Sequence, residues 1–194
     1  MSDALQQFLD NVAAGDDDRA EEAAQALARE GDAALPSLRD LLTSTDPDRR
    51  WWAARGLAAV GTQAAQERLI AALADPSPDV RACAAQGLGE LRGEESVAGL
   101  VRCMADPIPL VSRIAADSLA RIGLPAVPAL IAALEAEETP VRAGAARALS
   151  IIQPQAKDAV PALCAALDDP SAIVTYYAEE ALERMGVGLV LFRP

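Results

Sequence analysis

The sequence contains no histidine in its 194 residues. This absence excludes a Ser-His-Asp or Cys-His nucleophile, a histidine-ligated zinc ion and a histidine general base. Any catalysis would have to rely on carboxylates, arginine, tyrosine or cysteine. We therefore predict a protein with no catalytic residue, no metal site and no cofactor.

Cysteine and aromatic residues are scarce. The cysteines Cys83, Cys103 and Cys164 lack metal-type spacing and lie among alanines and leucines, so we interpret them as reduced thiols that serve as small apolar residues. The aromatic residues comprise two tryptophans, two tyrosines and two phenylalanines. Trp51 and Trp52 are adjacent, which indicates either a core contact or a binding surface.

Basic residues are outnumbered. The 17 lysines and arginines face 29 aspartates and glutamates, which gives a formal net charge of −12 and a pI near 4.4. This charge opposes attraction to a phosphate backbone, so we predict no nucleic-acid binding. No stretch approaches the roughly 20 apolar residues of a membrane span, and no signal-peptide pattern opens the chain. We expect a soluble, cytoplasmic monomer or weak homodimer without membrane contact.

Alanine and leucine are abundant, and they favour helices over strands. One pattern recurs at intervals of 30, 31, 31, 30 and 33 residues, always with an alanine four residues before an anchor leucine. A second pattern, with apolar residues at i, i+3, i+4 and i+7, lies between these copies and predicts another helix. Each repeat therefore contains an A helix and then a B helix. The anchor leucines of the B helices are Leu27, Leu57, Leu88, Leu119, Leu149 and Leu182.

Turn-forming residues flank the predicted B helices. Asp46-Pro47, Ser77-Pro78 and Thr139-Pro140 each pair a side-chain N-cap with proline at the first helical position. Glycines follow most B helices, where a left-handed C-cap residue is favoured. These glycines are Gly31, Gly61, Gly93, Gly123 and Gly186.

These features resemble HEAT repeats, specifically the short bacterial HEAT-like type that is also found in phycocyanobilin lyase subunits. The resemblance is carried by the loop pattern DPxxxVR, present as Asp75-Pro76 with Val80-Arg81, and by the AAxxLxxxG run of the B helices. It implies an all-α, right-handed α-solenoid of about six helix pairs in a single repeat domain. The copies span about 2–31, 32–61, 62–93, 94–123, 124–153 and 154–186.

The family's loop aspartate and the arginine six residues later look like a pair that ties neighbouring repeats. Asp75 and Arg81 retain both members, whereas Ser112 and Thr175 replace the arginine in two later copies. The apolar tail, residues 187–194, follows the last copy. We predict that it caps the exposed end of the solenoid, and a docking or self-association segment is the alternative.

A rotation of 100° per residue places positions 82, 83, 86 and 90 on the exposed face of their B helix. The resemblance implies that this face lines the concave side. Across the copies the face carries aromatic residues and arginines, which dominate protein interfaces, and small residues that leave room for a ligand. The predicted groove residues are Trp51, Trp52, Arg55, Gln86, Glu90, Arg113, Ile114, Asp117, Arg121, Arg147, Tyr176, Tyr177, Glu180 and Arg184.

We predict a non-enzymatic scaffold that binds a protein or peptide segment in this groove. Two alternatives stay open for its side chains: Trp52 and Tyr177 could pack sideways on a neighbouring B helix, and the arginines could simply pair with nearby acids.

The resemblance also implies a second candidate function, a lyase-like protein or chaperone that handles a tetrapyrrole. In that case Arg113 or Arg147 would meet the propionates and Asp117 the ring nitrogens. The HEAT-like iron enzyme deoxyhypusine hydroxylase is excluded by the missing histidines, and the acidic charge disfavours a HEAT-like DNA glycosylase.

Overall fold

The structure is a computed structural model that describes residues 3–187, apart from the side chains of residues 153 and 154. Within this part of the chain there is no strand, which confirms the all-α class. The predicted cap, residues 187–194, lies outside the described residues except for Val187. The α-helices are α1 (Asp3–Ala14), α2 (Asp17–Ala26), α3 (Leu35–Leu42), α4 (Pro47–Val60), α5 (Gln63–Ala72), α6 (Pro78–Leu91), α7 (Val97–Cys103), α8 (Pro109–Ile122), α9 (Val127–Ala133), α10 (Thr139–Ile152), α11 (Val160–Ala165) and α12 (Ala172–Arg184).

The chain divides into two compact units, unit 1 up to Leu91 and unit 2 from Arg92 onward. In unit 1 each odd-numbered helix packs on the even-numbered helix that follows it, and α4 also contacts α2 and α6. In unit 2 the same pairing joins α7 to α8, α9 to α10 and α11 to α12, and α10 contacts α8 and α12. Each unit therefore contains three of the predicted A and B helix pairs, with the B helices in mutual contact.

The anchor residues of the B helices form the core of each unit. All six anchor leucines are fully buried, and the alanines four residues before them are 0 % exposed except for Ala23 at 7 %. A methyl group at a helix crossing lets the two axes approach closely. The repeat register predicted from the sequence is therefore confirmed.

Glycine allows an even closer approach between α4 and α6. A Cβ atom placed on Gly87 would lie 2.7 Å from the Cβ of Ala58, too short for any ordinary contact. A larger residue at this position would separate the two B helices.

Helix ends follow the predicted turn signals with two exceptions. The prediction of Thr139 as an N-cap is wrong, because α10 begins at Thr139 and the backbone N–H of Arg142 donates to the carbonyl of Glu138, which places the N-cap at Glu138. Pro47 opens α4, and the Asp46 side chain accepts a hydrogen bond from the backbone N–H of Asp48 at 2.9 Å. Gly31, Gly61, Gly123 and Gly186 have positive φ, as predicted for C-cap residues. The prediction for Gly93 is wrong, because α6 ends at Leu91 and Arg92 takes the left-handed conformation instead.

Arginine and aspartate connect successive repeats, although not in the predicted pairing. Arg50 donates two hydrogen bonds to the Asp75 carboxylate at 2.8 and 2.9 Å, and Arg142 does the same to Asp169 at 2.7 and 3.2 Å. Arg81 donates instead to the backbone carbonyl of Asp75 at 2.9 Å. The arginine of one copy thus binds the loop aspartate of the next copy through a bidentate pair of charge-assisted hydrogen bonds.

Within unit 2 the arginine and the aspartate of this pair are either both present or both absent. In the copy before Arg142, the arginine position is occupied by Ser112. The aspartate that would pair with it would lie in the next copy, where Ala136 occupies the position equivalent to Asp169. Ser112 donates its hydroxyl proton to the backbone carbonyl of Met104 at 2.7 Å. Losing both charges together avoids leaving a half-buried charge without its partner.

None of the described helices is by itself long and apolar enough to cross a membrane. The pair Pro109–Ile122 and Leu124–Ala133 would reach that length and hydropathy only together, and it is bent by 118°.

Replacing Ala84 with leucine should lower the free energy of unfolding by about 1–3 kcal/mol, because the extra methylenes overfill the helix crossing. Ala71→Leu, at an exposed position of α5, is the matched control and should change stability little. Urea or thermal unfolding measures both variants. Unchanged stability of Ala84→Leu would contradict the repeat register.

Asp169→Asn should lower the midpoint of thermal unfolding by a few degrees at neutral pH. The hydrogen bond from the Arg142 guanidinium holds the pKa of Asp169 below its ordinary value of 3.8. The pair's stabilisation is therefore complete above pH 3.8 and is lost as the pH falls through the lowered folded-state pKa. The difference between wild type and variant should shrink over that acidic range.

The exposed neighbour Asp168 makes no ion pair within the described part of the chain, so Asp168→Asn is the control and should behave as wild type. A difference between wild type and Asp169→Asn that persists unchanged at acid pH would show that the charge pair is not its cause.

Candidate functional site

Trp51 and Trp52 begin the second turn of α4 and have different environments. Trp51 is half-buried, whereas Trp52 is only 7 % exposed. The two indoles meet edge to face with centroids 4.8 Å apart, and Trp52 meets the buried ring of Phe8 edge to face at 6.3 Å. The predicted exposure of Trp52 is therefore wrong. Trp52 is buried, as the sideways-packing alternative proposed, although the ring that it meets outside α4 is Phe8 of α1, an A helix and not a B helix.

The predicted exposure of Ala82 and Cys83 is also wrong, since both are buried at 8 % and 9 %. The Cys83 Sγ lies 3.8 Å from the backbone carbonyl of Trp51 on the neighbouring B helix. Burial raises the pKa of Cys83 to about 12, which makes it an inert thiol. The prediction from helical rotation assumed that each B helix is buried on one face only. In a stack of repeats, the neighbouring B helices also cover its sides.

Arg55 ties three B helices together. Its guanidinium donates two hydrogen bonds to the Glu21 carboxylate on α2 and lies 3.7 Å from Glu90 on α6. Gln86 in turn donates to Glu90 at 3.0 Å. The hydrogen bond from Arg55 lowers the pKa of Glu21, and the same bond raises the pKa of Arg55. These predicted groove residues are thus engaged with one another, as the pairing alternative proposed.

A cleft of about 820 Å³ lies in unit 1 beside the tryptophans. Its walls are the end of α1 with the following turn, the start of α2, the start of α4 and the start of α6. We call it the tryptophan cleft. Its lining residues are Val12, Ala13, Ala14, Gly15, Asp17, Glu21, Asp46, Pro47, Asp48, Arg49, Trp51, Trp52, Ser77 and Asp79.

Carboxylates dominate the charge of the tryptophan cleft. Glu21 pairs with Arg55, and Asp46 lies 3.7 Å from Arg49, the one basic residue of the lining. Asp17, Asp48 and Asp79 are exposed and make no ion pair among residues 3–187. The cleft is therefore negatively charged.

Sequence reasoning missed these carboxylates because it considered the face of each B helix and not its N-terminal end. A signal was present nonetheless. Asp48 and Asp79 both stand nine residues before an anchor leucine, whereas the equivalent residues of unit 2 are Leu110, Pro140 and Ile173.

The second aromatic pair lies in unit 2. Tyr176 is 57 % exposed and meets the half-buried Tyr177 edge to face at 5.2 Å. Tyr177 borders a smaller pocket of about 440 Å³ between α8, α10 and α12, together with Gly144. Gly144 is small because a Cβ there would lie 2.9 Å from the Met104 Sδ. Gly144 therefore both lines the pocket and packs against Met104.

The predicted charges of unit 2 are partly paired. Arg147 lies 2.7 Å from Asp117, and Arg184 lies 2.7 Å from Glu180. The side chains of Arg113 and Arg121 are exposed and make no ion pair or hydrogen bond within the described chain, and Ile114, which follows Arg113, is half-buried. Arg113 lines the smaller pocket and is its one guanidinium without an acidic partner.

No group of three or more cysteines, aspartates and glutamates in the described residues could hold a metal ion.

Solved structures with similar folds are repeat proteins. The CpcE and CpcF complex of phycocyanin lyase from Nostoc sp. PCC7120 is 29 % identical with a TM-score of 0.56, over 79 % of this chain and 65 % of that chain. This chain therefore spans just under two thirds of the lyase chain. An engineered protein is 25 % identical with a TM-score of 0.52, over 97 % of this chain and 100 % of its own.

The karyopherin Kap121p is 17 % identical with a TM-score of 0.58, over 88 % of this chain and 22 % of that chain, which shows a shared fold. No curated protein matches the chain in sequence.

The sequence model of HEAT repeats matches four overlapping stretches, 2–74, 35–119, 66–135 and 106–183. These matches cover nearly all of the twelve helices and contain every anchor leucine. The chain belongs to the HEAT-repeat family of α-solenoid proteins.

Proposed function

We propose that this protein is a non-enzymatic interaction scaffold that holds a segment of a protein partner against the B helices of its repeats. Solenoids present extended surfaces of this kind, built from the same element of successive repeats. The observation that carries the proposal is the tryptophan cleft, where three B helices begin around a half-buried indole.

A segment of extended chain fits this cleft better than a flat protein surface does. Its volume of about 820 Å³ is that of a pocket that encloses several side chains. Trp51 supplies a large contact area whose orientation is already fixed by Trp52, so little side-chain entropy is lost on binding.

The paired charges support the same role in a different way. Arg55 holds α2, α4 and α6 together, so the walls of the cleft are connected without the partner. In unit 2 Tyr176, Arg113 and Arg121 are exposed side chains of the residue types that dominate interfaces.

The likeness to phycocyanin lyase favours a tetrapyrrole-handling role as the second candidate. Its support is weaker, because Arg147 and Asp117, two of the groups that this role requires, lie 2.7 Å from each other. A shifted absorption band on mixing with a bilin would favour this candidate over the scaffold.

Selection of peptides from an unbiased display library should yield sequences whose affinity depends on Trp51. Replacing Trp51 with alanine should weaken their binding about tenfold or more, since a buried aromatic contact is lost. Fluorescence anisotropy with the selected peptides measures the change, and circular dichroism confirms that the variant folds.

Leu124→Ala is the matched control, because Leu124 is 53 % exposed in unit 2 and lines neither the tryptophan cleft nor the smaller pocket of unit 2. It should bind the selected peptides as wild type does. If no selected peptide distinguishes Trp51→Ala from wild type, the proposed binding surface is wrong.

A further inference from the structure

The tryptophan cleft also indicates what kind of segment it binds. Trp51 lines the cleft with a half-buried side chain. Its ring meets the ring of Trp52 edge to face, and Trp52 meets Phe8 edge to face. An indole face is the best aromatic partner for a guanidinium or ammonium group. The ring therefore offers a site for a cation as well as for an apolar side chain.

Trp52 adds a second recognition group. Its side chain is more than nine-tenths buried, and its indole N–H has no acceptor among the described residues. The nitrogen is nevertheless not fully sealed from solvent, unlike the unpartnered Ser118 Oγ. A buried donor without an acceptor is destabilising, and Trp52 is among the residues that line the cleft.

The charge of the lining selects against an acidic occupant. Five of its residues are acidic and one is basic, and the internal pairs of Glu21 and Asp46 leave three carboxylates without a cation. The smaller pocket of unit 2 has the opposite balance, with Arg113 and Arg147 against Asp106. Charge complementarity therefore distinguishes the two pockets.

The aspartates of the tryptophan cleft could have a second role, the stabilisation of their own helices. Asp48 and Asp79 lie in the first turns of α4 and α6, where a negative charge interacts favourably with the helix dipole. Asp18 occupies the equivalent position in the first turn of α2 but does not line the cleft. Comparing these positions separates ligand binding from helix stabilisation.

We propose that the tryptophan cleft binds an extended, arginine- or lysine-bearing peptide segment, with a side-chain cation over the Trp51 indole and the carboxylates of Asp48 and Asp79 beside it. The Trp52 N–H donates to a backbone carbonyl of the segment. This inference rests on the proposed scaffold function and specifies the partner of the same site.

The test uses a fluorescein-labelled, acetylated and amidated decapeptide that contains four arginines spaced by glycine and serine. Two matched peptides carry glutamine or glutamate in place of arginine. The arginine peptide should bind by anisotropy, its affinity should fall as salt is added, and the other two should bind at least about tenfold more weakly.

Protein variants locate the contact. Asp48→Asn and Asp79→Asn should each weaken binding of the arginine peptide by about two- to fivefold, and Trp51→Ala by a similar or larger factor. Asp18→Asn removes the same charge from a helix N-terminus outside the cleft and should bind within about twofold of wild type. Thermal melts by circular dichroism show whether each variant is folded.

Several outcomes would overturn the inference. These are equal or tighter binding of the glutamate peptide, equal weakening by Asp18→Asn, and displacement of the arginine peptide by spermidine at matched charge. A dimer of the protein alone that dissociates on Trp51→Ala would assign the cleft to a second copy of the chain. The peptide comparison changes no protein residue, so it decides the question even if a variant does not fold.

Failure of this inference differs from failure of the scaffold function. If the display library yields neutral or acidic peptides that require Trp51, the scaffold function stands and the basic partner is wrong. If neither the library nor the arginine peptide shows binding that requires Trp51, both are wrong.

Discussion

Close packing of the B helices is the constraint on which the other features depend. Small residues at fixed repeat positions allow it: Ala53, Ala84 and Ala145 are fully buried, and Gly87 lies against Ala58 with no space for a Cβ atom. Because the helix axes are close, side chains on the shoulders of each B helix are covered by the next one. This coverage buries Cys83 beneath the Trp51 backbone and makes it an inert thiol.

Arginine contributes to this architecture in two ways. Arg50 and Arg142 join the loops of successive copies through bidentate bonds to Asp75 and Asp169, and their side chains are only 11 % and 13 % exposed. Arg55 joins α2, α4 and α6 on the other side of its helix, through Glu21 and Glu90. Both arrangements neutralise acids within a chain of formal charge −12, whereas Asp17, Asp48 and Asp79 at the cleft make no ion pair within the described residues. The local sign of charge is the property that a partner would meet first.

The candidate site combines a rigid aromatic wall with helix N-termini. Phe8, Trp52 and Trp51 form a continuous series of edge-to-face contacts from the core of unit 1 to the cleft. The series explains why two adjacent tryptophans occur in a chain with so few aromatic residues: one is a core residue that positions the other. Adjacent residues on a helix point about 100° apart, so a core ring can support its neighbour at the surface.

The sequence by itself determined the all-α class, the six helix pairs and the buried alanine and leucine of every B helix. These follow from the repeat period and from helix geometry, which are local properties of the chain. The position of Trp51 toward a surface also followed from the helical rotation. Only the tertiary structure decided that Trp52, Ala82 and Cys83 are buried, that Arg50 and not Arg81 binds the Asp75 carboxylate, and that Asp48 and Asp79 meet at one cleft. These outcomes depend on which neighbouring helix covers each side chain, and the distances between residues of different repeats are not contained in the periodicity of any one helix.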